Sequence, residues 1–157
     1  MKIELIIVGK TDSDWIKQGF DVYQKRIAHY ISFNSTILLD IKNRKNLSER
    51  QQKEQEGNLI IKQIQNSDFV ILLDENGSQY DSVQFSAFLQ KKMNSGIKRL
   101  VFIIGGPYGF SDEIYNLSNY KISLSKMTFS HQMVRPFFLE QLYRAFSILN
   151  NEPYHHK

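Results

Sequence analysis

Residues 99–113, Arg99-Leu-Val-Phe-Ile-Ile-Gly-Gly-Pro-Tyr-Gly-Phe-Ser-Asp-Glu113, pass from an apolar run through a glycine-rich turn to the start of a helix. The β-branched and aromatic run predicts a buried strand. Ser111, followed by two acidic residues, predicts a helix N-terminus. Glycines between a strand and a helix let bare backbone approach a ligand, because no Cβ stands in the way. A tight turn that needs positive φ explains the glycines equally well, so this loop alone leaves both explanations open.

Two more apolar runs end in polar sequence. Residues 69–73 precede Asp74-Glu-Asn-Gly77, and residues 122–124 precede Ser125-Lys-Met-Thr-Phe129. In parallel α/β sheets, ligands bind beyond the carboxyl ends of the strands. If these two strands are neighbours of the strand at 100–104, the three loops that follow them meet in one pocket.

Strands and helices alternate along the whole chain. Strands are predicted at residues 3–8, 36–41, 69–73, 100–104 and 122–124. Helices are predicted at residues 14–30, from a capping box at Ser48–Gln51, at 81–94, after Ser111, and from Ser130 to about residue 149. Alternating elements with near-continuous apolar strands predict a parallel sheet with helices on both faces, an α/β/α sandwich. The sequence has no repeat or linker, so residues 1–157 are expected to form one domain.

Composition narrows the class of protein. The 157 residues carry a net charge of +4 and no cysteine, which excludes disulfides, thiolate zinc sites and a cysteine nucleophile and fits a cytoplasmic setting. No apolar run approaches the ~18 residues of a membrane helix, and the short apolar start, interrupted by Glu4, does not resemble a signal peptide. His155 and His156 lack further ligands nearby, so no metal site is expected.

Nucleotide-binding motifs are absent, but a polyanionic partner stays open. The glycines follow the fourth strand and do not form GxGxxG, and there is no GxxxxGK[ST], which disfavours dinucleotide binding and P-loop hydrolysis. Basic residues cluster at 42–45, 91–92 and 98–99. Each cluster is compatible with a solvated face, while together with the aromatic content they are compatible with nucleic-acid binding.

Seven segments, read together and in order, resemble the RlmH-type methyltransferases of the SPOUT superfamily. They are residues 8–10, 55–57, 72–77, 102–109, 124–131, 140–145 and 153–155, and they extend over essentially the whole chain. The resemblance implies a methyltransferase that uses S-adenosylmethionine to methylate N3 of a pseudouridine in 23S ribosomal RNA. The substrate is a helical stem-loop near the decoding centre, and the enzyme acts as a homodimer on assembled 70S ribosomes. It also implies a C-terminal trefoil knot, which nothing in the spacing predicts and which base rates disfavour.

The resemblance also assigns the site residues. The implied cofactor-binding residues are Leu73, Gly105, Leu124, Ser125, Lys126, Met127, Thr128 and Phe129. The implied catalytic and substrate residues are Arg144, Tyr154 and His155. By type, His155 suits removal of the imide proton and Arg144 suits stabilisation of the resulting charge. His156 leaves open which imidazole acts, and by position alone the segment 150–157 is compatible with a solvated tail.

Two alternatives to this function remain at the level of sequence. A non-enzymatic RNA-binding or ribosome-associated factor would use the glycine loop only as a turn, and the same fold would also suit methylation of another RNA, such as transfer RNA. The last helix is apolar on more than one face, through Phe137, Phe138, Leu139, Leu142, Tyr143 and Phe146. One sheet cannot cover all of these side chains, so a symmetric helix contact between two copies is expected.

Overall fold

The structure, a computed structural model, describes residues 1–156. It contains five strands: β1 (Lys2–Val8), β2 (Phe33–Leu38), β3 (Phe69–Gln79), β4 (Arg99–Ile104) and β5 (Tyr120–Ser123). It also contains five α-helices: α1 (Asp14–Ile27), α2 (Glu49–Ile61), α3 (Ser82–Asn94), α4 (Asp112–Leu117) and α5 (Val134–Leu149). The predicted order of elements is confirmed.

The five strands form one parallel sheet in the order β2-β1-β4-β3-β5. The carboxyl ends of the strands lie nearly level, because Ile104 pairs with both Ile7 and Leu73, and Leu73 pairs in turn with Ile122. Strands β4, β3 and β5 are therefore neighbours, as the pocket prediction required.

Helices cover both faces of the sheet, which confirms the predicted sandwich. On one face, side chains such as Leu5 and Phe102 pack against α1, α3 and α5. On the other face, side chains such as Ile6 and Ile103 pack against α2 and α4. Each strand residue points to the face opposite that of its neighbour, so one apolar run supplies both cores.

The predicted position of β2 is wrong by three residues. Its pairing with β1 runs from Ile3 opposite Phe33 to Val8 opposite Leu38. Leu39, which the apolar pattern placed inside the strand, is 66% exposed. Because β2 is an edge strand, it tolerates polar residues along its length, and the apolar pattern is a poor guide to its ends. Helix α1 likewise ends at Ile27 and not at residue 30.

Strand β3 continues beyond its predicted end at Leu73. Both Leu73 and Ser78 pair with Ile122 of β5, and the residues between them leave the ladder. A Cβ on Gly77 would lie 2.6 Å from backbone atoms of Ile122. This close crossing of two backbones is possible only at a glycine.

Two helix starts show how far capping signals can be read from the sequence. The capping box of α2 is present, because Ser48 Oγ accepts a hydrogen bond from Gln51 N and the Gln51 side chain accepts one from Ser48 N. The helix buries the polar Gln52 and Glu56 as well as Ile60. Helix α5 begins at Val134, four residues after the predicted cap Ser130, whose Oγ accepts a hydrogen bond from Met133 N at 3.2 Å.

Residues 1–156 contain neither a membrane-spanning helix nor a metal-binding cluster. None of the helices there is long and apolar enough to cross a membrane. The same residues hold no group of three or more His, Asp or Glu side chains arranged to bind a metal ion.

Candidate active site

A cleft of about 620 Å³ opens at the carboxyl ends of β3, β4 and β5. It is lined by residues from the three loops that the sequence singled out, together with Tyr115 of α4 and Val134 of α5. The prediction that these loops meet in one pocket is confirmed. A volume of this size suits a small organic ligand.

Seven of the eight predicted cofactor residues line the cleft. They are Leu73, Gly105, Leu124, Ser125, Met127, Thr128 and Phe129. Lys126 lies in the same loop but does not line the cleft, and its side chain is exposed. The binding role of all eight residues stays a prediction.

The cleft combines apolar walls with backbone held by short hydrogen bonds. Ser123 Oγ donates to Ser125 O at 2.7 Å, and Ser125 Oγ accepts from Met127 N at 2.9 Å. Thr128 Oγ1 donates to Glu75 Oε2 at 3.1 Å and so joins two walls. The apolar walls are formed by Leu73, Ile104, Ile122 and Leu124. Such a site can hold a ligand that presents an apolar body and a few polar groups.

The glycine loop after β4, residues 105–109, makes a tight turn and lines the cleft. Gly109 has a φ of +79°, as a tight turn requires. A Cβ on Gly105 would lie 3.0 Å from the Phe110 ring, and one on Gly106 would lie 2.5 Å from Glu56 Oε2. The expectation that Gly106 makes room on the ligand side therefore needs correction. Its missing side chain lets the loop pack against Glu56 of α2, and the loop backbone lines the cleft.

Tyr115 of the cleft was not found by sequence reasoning, and it bonds to Asp74 in the predicted loop after β3. The hydroxyl of Tyr115 donates a hydrogen bond to Asp74 Oδ2 at 2.5 Å. Burial, followed by this bond to a carboxylate, raises the pKa of Tyr115 above its ordinary value. Asp74 also accepts from Asn76 N at 2.8 Å. This bridge ties α4 to the loop of β3, and no sequence signal links Tyr115 to Asp74, 41 positions away.

A buried cation and a histidine support the far wall of the cleft. Arg135 is fully buried and donates to Val8 O at 2.9 Å, Thr11 Oγ1 at 2.9 Å and His131 O at 3.1 Å. Within residues 1–156 it has no carboxylate at ion-pair distance. His131 lines the cleft, and burial, with a smaller contribution from Arg135, lowers its pKa. Neutral imidazole is therefore the favoured form of His131.

The three predicted catalytic residues lie together around Glu140, and we call these four residues the tail cluster. Glu140 Oε1 accepts from Arg144 Nε at 3.0 Å and from the Tyr154 hydroxyl at 2.9 Å. Arg144 Nη1 lies 3.5 Å from His155 Nδ1, and its guanidinium lies 4.7 Å from the centroid of the Tyr154 ring. Burial, then hydrogen bonds with Tyr23 and Glu140, raise the pKa of Tyr154. Its phenol therefore remains a hydrogen-bond donor at neutral pH.

The two C-terminal histidines differ in their surroundings. His155 is half-buried beside Arg144, whereas His156 is exposed. The structure thus favours His155 as the imidazole that belongs to the tail cluster.

The cleft and the tail cluster are separate within one chain. None of the four cluster residues lines the cleft. Val134 lines the cleft in the first turn of α5, and Arg144 follows ten residues later, about 15 Å along the helix axis. One protomer therefore does not bring the two groups of predicted site residues together.

The predicted reason for a homodimer needs correction. Phe138, Leu139, Leu142 and Phe146 are all buried within the protomer, since α5 packs against both α1 and α3. Phe137, 44% exposed, is the large apolar side chain of α5 that remains uncovered. The centroid of its ring lies 5.4 Å from the centroid of the Phe129 ring at the cleft. The homodimer itself stays a prediction.

Comparison with known proteins gives a consistent result. A family profile described as "Predicted SPOUT methyltransferase" matches residues 1–155. The chain is 63% identical to a Flavobacterium psychrophilum protein and 60% identical to one from Christiangramia forsetii. It is 57% identical to a third, from Parabacteroides distasonis. Each match covers the full length of both chains, and each relative is named "Ribosomal RNA large subunit methyltransferase H".

A solved structure shares the fold. It is described as a probable methylase family protein from Haemophilus influenzae and matches with a TM-score of 0.51 at 13% identity. The match covers 95% of this chain and 66% of the other. At this identity the likeness concerns the fold alone.

Proposed function

The chain belongs to the SPOUT methyltransferase family, and on this basis we propose that it methylates large-subunit ribosomal RNA with S-adenosylmethionine as the methyl donor. The proposed target is N3 of a pseudouridine in a 23S stem-loop near the decoding centre, on assembled 70S ribosomes in the cytoplasm. The main support is the full-length identity of 57–63% to relatives named for large-subunit ribosomal RNA methylation.

The cleft fits the proposed cofactor. Apolar walls at Leu73 and Leu124 suit the flat face of an adenine, and the backbone of residues 105–109 and 125–129 offers amides and carbonyls to its edge. S-adenosylmethionine, when bound, supplies a methyl group already activated by a sulfonium, so the transfer itself requires no metal ion. What remains for the chain is to bind, to orient and to manage one proton.

The tail cluster fits the proton step. The imide N3–H of the base has to be deprotonated before N3 can accept a methyl group. We assign His155 to accept this proton and Arg144 to stabilise the negative charge that develops on the base. Glu140 holds the guanidinium of Arg144 and the hydroxyl of Tyr154 in place. We assign Tyr154 to orient the base relative to the tail cluster.

A homodimer would bring the tail cluster of one copy to the cleft of another. Three exposed aromatic side chains support a contact beside the cleft: Phe129 and Phe137 pack against each other there with tilted rings, and Trp15 is 59% exposed. Trp15 lies one turn before Gly19, where an added Cβ would lie 3.7 Å from Pro136 of α5. Light scattering at micromolar concentration tests this proposal, because a mass near 18.5 kDa would contradict a dimer.

A basic surface beside the cleft supports an RNA substrate. Lys10 follows β1, and Lys42, Arg44 and Lys45 follow β2; we call these four exposed residues the basic edge. Val8 is paired with Leu38 at the ends of these strands, so the basic edge lies at the same edge of the sheet as the cleft. Arg44 is anchored to Asp40 at 3.2 Å. Phosphates that flank the target base would bind here.

The double pairing of Ile122 supports the proposed trefoil knot. Leu73 and Ser78 both pair with this residue, and Gly77 lies against its backbone. A strand has one pairing edge on each side, so in the proposed knot residues 74–77 would pass over β5. The chain that leaves β5 would then run through the loop that this passage closes.

Two experiments test the proposed function. Ribosomal RNA from a strain that lacks the gene, analysed by mass spectrometry, should lose one methyl group at a large-subunit pseudouridine. Purified protein should restore this methyl group on 70S ribosomes with S-adenosylmethionine. Methylation of transfer RNA but not of ribosomes would show that the substrate is transfer RNA. The absence of S-adenosylmethionine binding at millimolar concentration would favour a non-enzymatic RNA-binding factor.

A further inference from the structure

A buried carboxyl group lies directly behind the glycine loop. Glu56 of α2 is 5% exposed, and its Oε1 accepts a hydrogen bond from Gln52 Nε2 at 2.8 Å. Its Oε2 is buried and has no hydrogen-bond partner among the described residues. A buried polar atom left in this way is costly unless it has a role.

The carboxyl group of Glu56 faces Gly106 of the glycine loop. A Cβ on Gly106 would lie 2.5 Å from Glu56 Oε2 and 2.8 Å from Oε1. The carboxyl group thus occupies the space that a side chain at position 106 would fill. Gly106 lines the cleft from its other side, so the backbone that would contact a ligand rests on Glu56.

The surroundings of Glu56 disfavour its charged form. Burial raises its pKa, the hydrogen bond from Gln52 lowers it, Asp40 raises it and Arg44 lowers it. Asp40 and Arg44 lie in the loop after β2, Gln52 is uncharged, and the loop after β4 presents the uncharged Gly106. No basic side chain of residues 1–156 forms an ion pair with Glu56. An ionised carboxylate would move toward water or Arg44 and withdraw its support from the loop.

We propose that Glu56 is a positioning residue whose buried carboxyl group holds the glycine loop in the conformation that binds the methyl donor. This inference rests on the proposed function, because it assigns the cleft to that donor. It predicts that cofactor affinity falls as pH rises through the titration of Glu56. A purely structural role in the packing of α2 would not produce this dependence.

The first measurement is the affinity for S-adenosylhomocysteine, the demethylated cofactor, by calorimetry from pH 5 to pH 9. Glu56→Gln keeps the shape of the side chain without an ionisable group. Glu54→Gln, two residues earlier on the exposed side of the same helix, is the matched control. We expect the unaltered protein and Glu54→Gln to lose about tenfold in affinity across this range relative to Glu56→Gln. His131 titrates in all three proteins, so the difference between profiles isolates Glu56.

The second measurement is amide hydrogen exchange of residues 105–110 without any ligand. Glu56→Ala should accelerate exchange in this loop about tenfold or more, with β1 and α1 unchanged, and Glu56→Gln should restore protection. Parallel pH profiles for the unaltered protein and Glu56→Gln, or unchanged exchange in Glu56→Ala, would overturn the inference. If no variant and not even the unaltered protein binds the ligand, the proposed function fails, and the exchange data still decide whether Glu56 holds the loop.

Discussion

The cleft and the tail cluster lie about three turns apart on α5 and are built in opposite ways. Three loops form the cleft with their backbones, and hydrogen bonds such as the one that Ser125 Oγ accepts from Met127 N hold the backbone of the loop after β5. In the tail cluster, the Glu140 carboxylate accepts hydrogen bonds from the side chains of Arg144, one helical turn later, and Tyr154, 14 residues later. Removal of a single side chain should therefore abolish the function of the tail cluster. Cofactor binding in the cleft should be lost mainly through changes to its backbone. Five sets of variants, in decreasing order of effect, test this contrast.

Removal of the tail should separate the two regions most clearly. A chain that ends at Pro153 lacks Tyr154, His155 and His156 but keeps every residue that lines the cleft. We expect methylation of ribosomes to fall by about 10²–10⁴-fold, because the proton acceptor is removed, while S-adenosylhomocysteine binds within about threefold. Single-turnover assays and calorimetry measure the two effects. His156→Ala is the control and should be fully active. Full activity of the truncated protein would show that the tail is a solvated segment without a catalytic role.

A change to the backbone of the cleft should have the opposite effect, in which cofactor binding is lost and the tail cluster is kept. In Gly105→Val the new side chain meets the Phe110 ring and the carbonyl of Gly109, at 3.0 and 3.2 Å from its Cβ, so the loop has to shift. We expect cofactor affinity to fall by about 100-fold or more while the tail cluster stays intact. Calorimetry measures the affinity, and circular dichroism checks the fold. Global unfolding would show that Gly105 is needed for folding, and normal binding would place the pocket elsewhere.

Loss of one charge should show which step the tail cluster serves. Arg144→Ala removes the guanidinium that Glu140 holds, and we expect the rate at saturating ribosomes to fall by about 10²-fold. Arg144→Lys should recover little, because an ammonium cannot reproduce the planar fork. Kinetics at several ribosome concentrations separate the possibilities. If only KM rises and its salt dependence flattens, Arg144 contacts a phosphate instead.

The basic edge should contribute binding without chemistry. The double variant Lys42→Gln/Lys45→Gln should raise the KM for ribosomes by about tenfold at physiological salt. The slope of log affinity against log salt concentration should also become shallower, by about 0.7–0.9 for each phosphate that is no longer neutralised. Lys2→Gln/Lys98→Gln removes the same charge at the opposite end of the strands and is the matched control. Equal effects of both pairs would mean that net charge, and not this surface, governs binding.

The smallest effect concerns pH and the cleft. The pKa of His131 is lowered in the folded protein, so the unfolded chain binds its proton first as pH falls below about 6.5. Stability should therefore decline as pH drops through this range, and His131→Asn should decline less, by about 1–2 °C in Tm. Thermal denaturation at pH 7.5, 6.5 and 5.5 measures this difference. Identical curves would show that His131 is not desolvated at the cleft.

Much of the cleft was predictable because it depends on where strands end. Apolar runs followed by glycine or polar residues mark the carboxyl ends of β3, β4 and β5, and parallel pairing then places their loops together. The position of β2 was not predictable, because an edge strand need not be apolar. The exposure of the Lys126 side chain was not predictable either, because it depends on the path of the loop, which residue spacing alone does not specify.

The supports of the site were harder to find. Glu56 and Gln52 are polar residues in a polar helix, and no sequence pattern shows that Glu56 lies behind Gly106 or that Gln52 donates a hydrogen bond to it. Tyr115 and Arg135 act through partners far away in sequence. The tail cluster was predicted through family resemblance and not from any pattern, because residue types such as His155 near a chain end are usually solvated.

Arg135 joins the two ends of the chain, since it carries hydrogen bonds from α5 to Val8 and Thr11, at sequence separations of 127 and 124 residues. β1 lies inside the sheet, and α5 covers the face that β1 helps to form. Contacts of such long sequence separation form late and slowly in folding. A nascent chain therefore cannot complete this fold while α5 is still inside a ribosome.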